Sequence, residues 1–205
     1  MKLTRKEREK IRKNQEIIEA SIQVFSQKGF YEATMQDISR VVEMGVGTLY
    51  QYFKSKDDLY YNAILYKLNE FHQFYGERRR GEDTFIGSLS GIITAWIEYF
   101  SSNNDFFTIV FSEWLDVKKT FAKSLKKRLM SEFMEKYKEI ADLIDRGKQT
   151  GEVNGGLDTE VLSAMIFGTI QHMIRRGALE KVIVAPAVVA GNIIDILSPG
   201  ILNKK

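Results

Sequence analysis

The sequence predicts an all-α protein, with a short N-terminal helix-turn-helix unit and a larger helical remainder. Three observations predict it. Apolar residues recur three and four positions apart almost throughout the 205 residues, β-branched alternation is scarce, and Pro186 and Pro199 are the chain's only prolines. With 44% hydrophobic and 28% charged residues, the composition is that of a chain that buries a core.

The elements follow in order. Ile11, Ile18, Ile22 and Phe25 form one stripe with Ile17 and Val24 beside it, and Gly29 after Lys28 reads as a helix stop. Thr34 caps a short helix carrying Ile38, Val41 and Val42, a turn follows at 43–45, and Val46, Leu49, Tyr50 and Phe53 mark a second short helix. Two short helices after a longer one make a helix-turn-helix. Ser55 offers an N-cap for a long helix over 56–76, where Asp57 and Asp58 suit the positive end of the helix dipole. Beyond a loop at 76–83, helices are expected near 84–102, 104–116, 119–147, 158–178 and 186–197. The breaks fall where turn-forming residues cluster: Asn103 with Asn104, the segment 147–156 and the segment 176–186. Two domains are expected, 1–56 and 57–205, sharing one continuous helix without a flexible linker.

Composition also excludes. There is no cysteine and there are only two histidines, which removes disulfides and thiolate zinc sites and argues against a histidine metal cluster. No metal and no cofactor is expected. No apolar run approaches the roughly 18 residues of a membrane span, and no leader is apparent, so the expected location is cytoplasmic, away from the membrane. The net charge of +3 is modest but uneven, with seven Lys or Arg and two Glu in residues 1–14, a basic N-terminal arm.

Residues 15–60 carry a specific pattern: the helix end at 25–30, Ala33-Thr34, Asp37-Ile38, and above all Gly47-Thr48-Leu49-Tyr50-Gln51-Tyr52-Phe53-Lys54-Ser55-Lys56-Asp57-Asp58-Leu59. This string resembles the DNA-binding domain of the tetracycline-repressor (TetR) family of transcriptional regulators. The resemblance implies a DNA-binding helix-turn-helix joined to a helical ligand-binding and dimerisation domain, acting as a repressor on a palindromic operator. Leu49 and Phe53, at i and i+4, face inward with Ile38 and Val42, which turns Val46, Gly47, Thr48, Gln51 and Tyr52 outward. By resemblance and by facing, Gln36, Val46, Gly47, Thr48 and Gln51 are assigned to base edges, and Thr34, Tyr50, Tyr52 and Lys56 to phosphates. One departure stands out: the family's turn glycine is replaced, since 43–45 reads Glu43, Met44, Gly45. A left-handed residue at that turn is then not glycine, and a carboxylate there repels phosphate.

Aromatics and methionines concentrate on the middle helices. Most are core, because large rings bury the most apolar area, but the excess points to a pocket between helices for an apolar or aromatic small-molecule effector. Its candidate lining is Trp96, Phe100, Phe107, Phe111, Trp114, Met130, Phe133, Met134, Tyr137, Met165 and His172, the histidine being as readily a packed or interface residue. The helices carrying Leu162, Met165, Ile166, Thr169, Ile170 and Met173, and Val188, Val189, Ile193, Ile194 and Leu197, are too apolar to stand exposed. By resemblance they form a homodimer interface. Two other classes compete: a small enzyme using Glu113 with Asp116 or Glu135 with Glu139, which lacks any accompanying nucleophile or phosphate loop, and a DNA-binding adaptor for a protein partner.

Overall fold

Thr4 starts the first helix with a capping box, its hydroxyl accepting from Glu7 N at 3.2 Å while the Glu7 carboxylate accepts from Thr4 N at 2.7 Å. That cap sets the start of α1 (Arg5–Glu32) well before the apolar stripe at Ile11, so the basic arm is largely helical. The computed structural model describes residues 4–78, 84–115, 123–180 and 185–202, the side chains of 110–115, 123–126 and 179–180 aside. Every regular element among them is an α-helix: α2 (Met35–Val41), α3 (Val46–Tyr52), α4 (Lys56–Arg78), α5 (Phe85–Ser102), α6 (Asn104–Leu115), α7 (Lys123–Gln149), α8 (Thr159–Glu180) and α9 (Pro186–Ile201).

Gly29 breaks α1 at φ 73°, a left-handed conformation that favours glycine, and one further turn follows before Ala33. Around this bend Phe25, Phe30 and Tyr60 pack ring against ring, with centroids 4.8 Å apart from Tyr60 to each phenylalanine. The bend thereby fastens α1 to α4. Ser55 caps α4 as expected, its hydroxyl accepting from Asp58 N at 3.1 Å.

α4 continues from the small N-terminal unit into the larger bundle without interruption. It meets the N-terminal unit mainly through α1 and packs onto α5, while α1 also touches α6. α5 is the central helix of the body, packed against α4, α6, α7, α8 and α9. Several helices run past expected stops, α7 and α9 among them. α7 passes Gly147 because that glycine serves close approach: a Cβ there would stand 2.7 Å from Val153 and 3.0 Å from Phe85. α9 passes Pro199 to Ile201, since a proline in a last turn removes few intrahelical bonds, and Leu202 N still reaches Ser198 O at 3.0 Å.

Candidate nucleic-acid interface and effector cleft

α2 and α3 are joined by a tight turn. Val42 N donates to Ile38 O and Met44 N to Ser39 O, both at 3.0 Å, which closes α2 with a Schellman-type bond. Glu43, between them, adopts φ 54°, so the left-handed position expected at the turn is occupied by a side chain carrying residue. Gly45 then caps α3 with no side-chain bond, its carbonyl accepting from Thr48 N at 2.9 Å and Leu49 N at 3.2 Å.

Leu49 and Ile38 are fully buried against each other's layer, with Phe53 beside them, which fixes the rotation of α3. Gly47, Tyr50 and Gln51 are exposed, as is Gln36 on α2, and Val46, Thr48 and Tyr52 are half-buried. One short helix thus presents backbone, an amide and phenol groups outward.

Two residues assigned to phosphates have their polar atoms engaged within the protein. The Thr34 hydroxyl donates to the Asp37 carboxylate at 2.8 Å and accepts from Asp37 N at 3.1 Å, a second capping box. Lys28 Nζ lies 2.8 Å from the same carboxylate and Arg40 3.3 Å. The hydrogen bond from Lys28, then that from Thr34, hold the Asp37 carboxyl well below its ordinary value, at about 2. Lys56 donates to the carbonyls of Phe30, Tyr31 and Ala33 at 2.7, 3.0 and 2.8 Å. Its three donors meet three acceptors, which sequence spacing alone could not show because the acceptors depend on the bend at Gly29.

In the body, Leu68, Phe71 and His72 of α4 face Trp96 and Phe100 of α5, Phe106 of α6, and Leu129, Glu132, Phe133 and Lys136 of α7 across a cleft. The cavity is only about 20 Å³, roughly the room of one water. Trp96 is its hub, with ring centroids 5.2 Å from Phe71, 5.9 Å from Phe100, 6.3 Å from Phe133 and 5.7 Å from Phe167. The Trp96 Nε1 is buried with no hydrogen-bond acceptor among the described residues. Across the cleft, the buried Glu132 carboxylate stands 2.6 Å from His72 Nε2 and 2.6 Å from the Arg128 guanidinium, tying α7 to α4.

Of the expected pocket residues, Trp96, Phe100 and Phe133 come together here. Phe107 packs edge-on behind Phe100 at 5.8 Å, and the Tyr137 hydroxyl donates to Glu160 O at 3.0 Å with its ring on Phe167. Met130, Met134, Met165 and His172 lie on the surface of the single chain. The reason is helical phase: Leu129, Glu132, Phe133 and Lys136 take the inner face of α7, and Met130 and Met134 sit about 100° further round. The side chains of Phe111 and Trp114 lie outside the described residues. Leu68, Phe71, His72, Phe106, Leu129, Glu132 and Lys136 were not among the expected lining; the signal available was His72, one of two histidines, set between Phe71 and Phe74.

A short reading helix, carried on a helix that runs unbroken into a bundle with its own aromatic cleft, defines a DNA-binding transcriptional regulator with a ligand-binding domain. Comparison with known proteins makes this specific. The family described as bacterial regulatory proteins, tetR family, matches residues 17–62, and that of the YsiA-like protein, C-terminal region, matches residues 66–182. The chain belongs to the TetR family of bacterial regulatory proteins. It is 23% identical over 193 residues to the fatty acid metabolism regulator protein of Bacillus subtilis, covering 94% of this chain and 97% of the relative. Among solved structures it resembles the ketosteroid transcriptional regulator KstR2 of Mycobacterium tuberculosis, with TM-score 0.75, 18% identity, and 93% and 95% of the two chains covered. It also resembles the transcriptional regulator FadR of Bacillus subtilis, solved in complex with stearoyl-CoA, with TM-score 0.70, 21% identity, and 91% and 98% covered. No helix among the described residues is long and apolar enough to cross a membrane.

Proposed function

We propose that this regulator binds a palindromic operator as a homodimer and is released from it by a long-chain acyl thioester of coenzyme A. The observation that carries the reading is the cleft itself: aromatic and aliphatic side chains of α4, α5, α6 and α7 line it together with His72, Glu132 and Lys136, and α4 is the helix that packs on α1 of the N-terminal unit. An apolar chain inserted there separates α4 from α7 and tilts the reading helices. The acyl thioester is favoured over other apolar effectors because the related FadR was solved with stearoyl-CoA.

In this reading the DNA-binding unit is 1–56 and the effector and dimerisation unit 57–205. Gln36, Val46, Gly47, Thr48 and Gln51 read base edges, and Tyr50, Tyr52 and the basic start of α1 hold phosphates. Thr34 and Lys56, whose polar atoms are engaged internally, position α2 and α4. The dimer forms through α8 and α9, on which Val161, Met165, Val188 and Ile196 stand exposed in the single chain. The two reading helices then address half-sites about 34–36 Å apart.

Fluorescence anisotropy on a labelled fragment from upstream of the protein's own gene tests this. Stearoyl-CoA is expected to release the fragment, and free coenzyme A is not. Retention of the DNA at saturating stearoyl-CoA would overturn the effector assignment.

A further inference from the structure

We infer that Trp96 is the residue by which the cleft selects an effector carrying a neutral carbonyl at the head of a hydrocarbon chain, and that its indole N–H donates to the thioester oxygen. The inference rests on the acyl-thioester reading and assigns a donor to it. Trp96 is 2% exposed, and its Nε1 has no acceptor among the described residues. A buried indole N–H without a partner is unusual, because each buried donor left unmade costs free energy. Trp96 lines the cleft, whose walls as they stand present only apolar atoms, so the occupant that satisfies the N–H is one that parts those walls.

The surroundings define the acceptor. Phe71, Phe100, Phe133 and Phe167 ring the indole, so the part of the ligand packed beside the acceptor is the acyl hydrocarbon. A charged acceptor is disfavoured by desolvation among those rings. A neutral carbonyl oxygen meets both conditions. A ligand with a methylene at that point fills the same space yet leaves the donor unpaired, and sites built around a buried donor reject such analogues strongly.

The test compares palmitoyl-CoA with S-hexadecyl-CoA, its thioether analogue, by calorimetry on the full chain. The wild-type protein is expected to favour the thioester by about tenfold or more. Trp96→Phe, which keeps the ring and removes the N–H, is expected to bind the two within about twofold of each other. Equal affinities in the wild type, or an undiminished preference in Trp96→Phe, would overturn the assignment. Binding of neither compound to the wild type overturns the acyl-thioester reading and this inference with it, whereas equal binding of both leaves that reading standing and sinks the role of Trp96 alone. Should Trp96→Phe not fold, the indole N–H resonance of wild-type Trp96, told from that of Trp114 by Trp114→Phe, decides: a shift with palmitoyl-CoA beyond that with the thioether supports the hydrogen bond, and identical shifts reject it.

Discussion

The ammonium of Lys56 lies 2.7 Å from the carbonyl oxygen of Phe30, 26 residues earlier in the chain. Past the bend at Gly29, Lys56 donates to three carbonyls at and just beyond the end of α1, those of Phe30, Tyr31 and Ala33, while its charge sits 4.6 Å over the Phe30 ring. The first residue of α4 thus caps the end of α1.

Lys56→Met is therefore expected to lower stability by about 1–3 kcal/mol, read as a fall in the thermal midpoint. The slope of log operator affinity against log salt should stay nearly unchanged. A slope reduced by about one unit would show that the ammonium leaves its carbonyls for a phosphate on DNA.

Glu43 combines a left-handed backbone with a carboxylate in the turn before the reading helix. Glu43→Gly should raise stability by about 0.5–1 kcal/mol and tighten binding to all DNA sequences. Glu43→Gln separates the effects: it should tighten DNA binding without the gain in thermal midpoint.

Gln51→Ala should alter base preference while leaving the salt slope intact, and Tyr52→Phe should weaken binding to all sequences alike. Selection from a randomised half-site followed by salt titration checks both. An unchanged consensus for Gln51→Ala would remove that residue from the reading face.

The Asp37 carboxyl, held at about 2 against an ordinary 3.8, makes the helix-turn-helix acid-sensitive in a defined window. A depressed folded value means stability that is fully present above about pH 4 and is lost as pH falls through 3.8 towards 2. Thermal midpoints at pH 5, 4 and 3 should fall less steeply for Asp37→Asn than for the wild type. Parallel curves would assign the acid sensitivity elsewhere.

Lys67 of α4 is buried between Glu19 of α1 at 2.8 Å and Glu70 at 2.7 Å, and it reaches Asn103 at the α5–α6 corner at 3.3 Å. Burial pulls its ammonium down, but the hydrogen bonds of Glu19 and Glu70 outweigh that and hold it above its ordinary value. This cluster joins α1 to α4 and to the α5–α6 corner. Lys67→Met should leave stearoyl-CoA affinity without DNA within about threefold while shrinking the factor by which operator weakens it. In the wild type that factor must equal the one by which stearoyl-CoA weakens operator binding; calorimetry with and without DNA measures both.

The helix-turn-helix was legible in the sequence because its determinants are local. Thr34 with Asp37, Ser55 with Asp58, and the spacing of Ile38, Leu49 and Phe53 act within a turn or two of the chain. The early start of α1 was equally local, in the Thr4 to Glu7 spacing, but was masked by the run of charge. The cleft was only half legible. Aromatic periodicity located Trp96, Phe100 and Phe133 on their helices, yet which neighbour each face meets is set by packing. Phe71 and Glu132 therefore emerged, and Met130 and Met134 turned outward, only when α4, α5 and α7 were seen together. The second role of Lys56 was illegible for the same reason.

The cleft of about 20 Å³ has a kinetic consequence. For the proposed acyl-thioester effector, a chain of many carbons exceeds a space of that size, so entry is expected to wait on a parting of α4 from α7 that breaks the contact between His72 and Glu132. Observed association rates measured by stopped flow should rise with effector concentration and then level off at the opening rate. The regulator would then answer a sudden surge of effector no faster than its own helices move, which filters brief fluctuations from sustained supply.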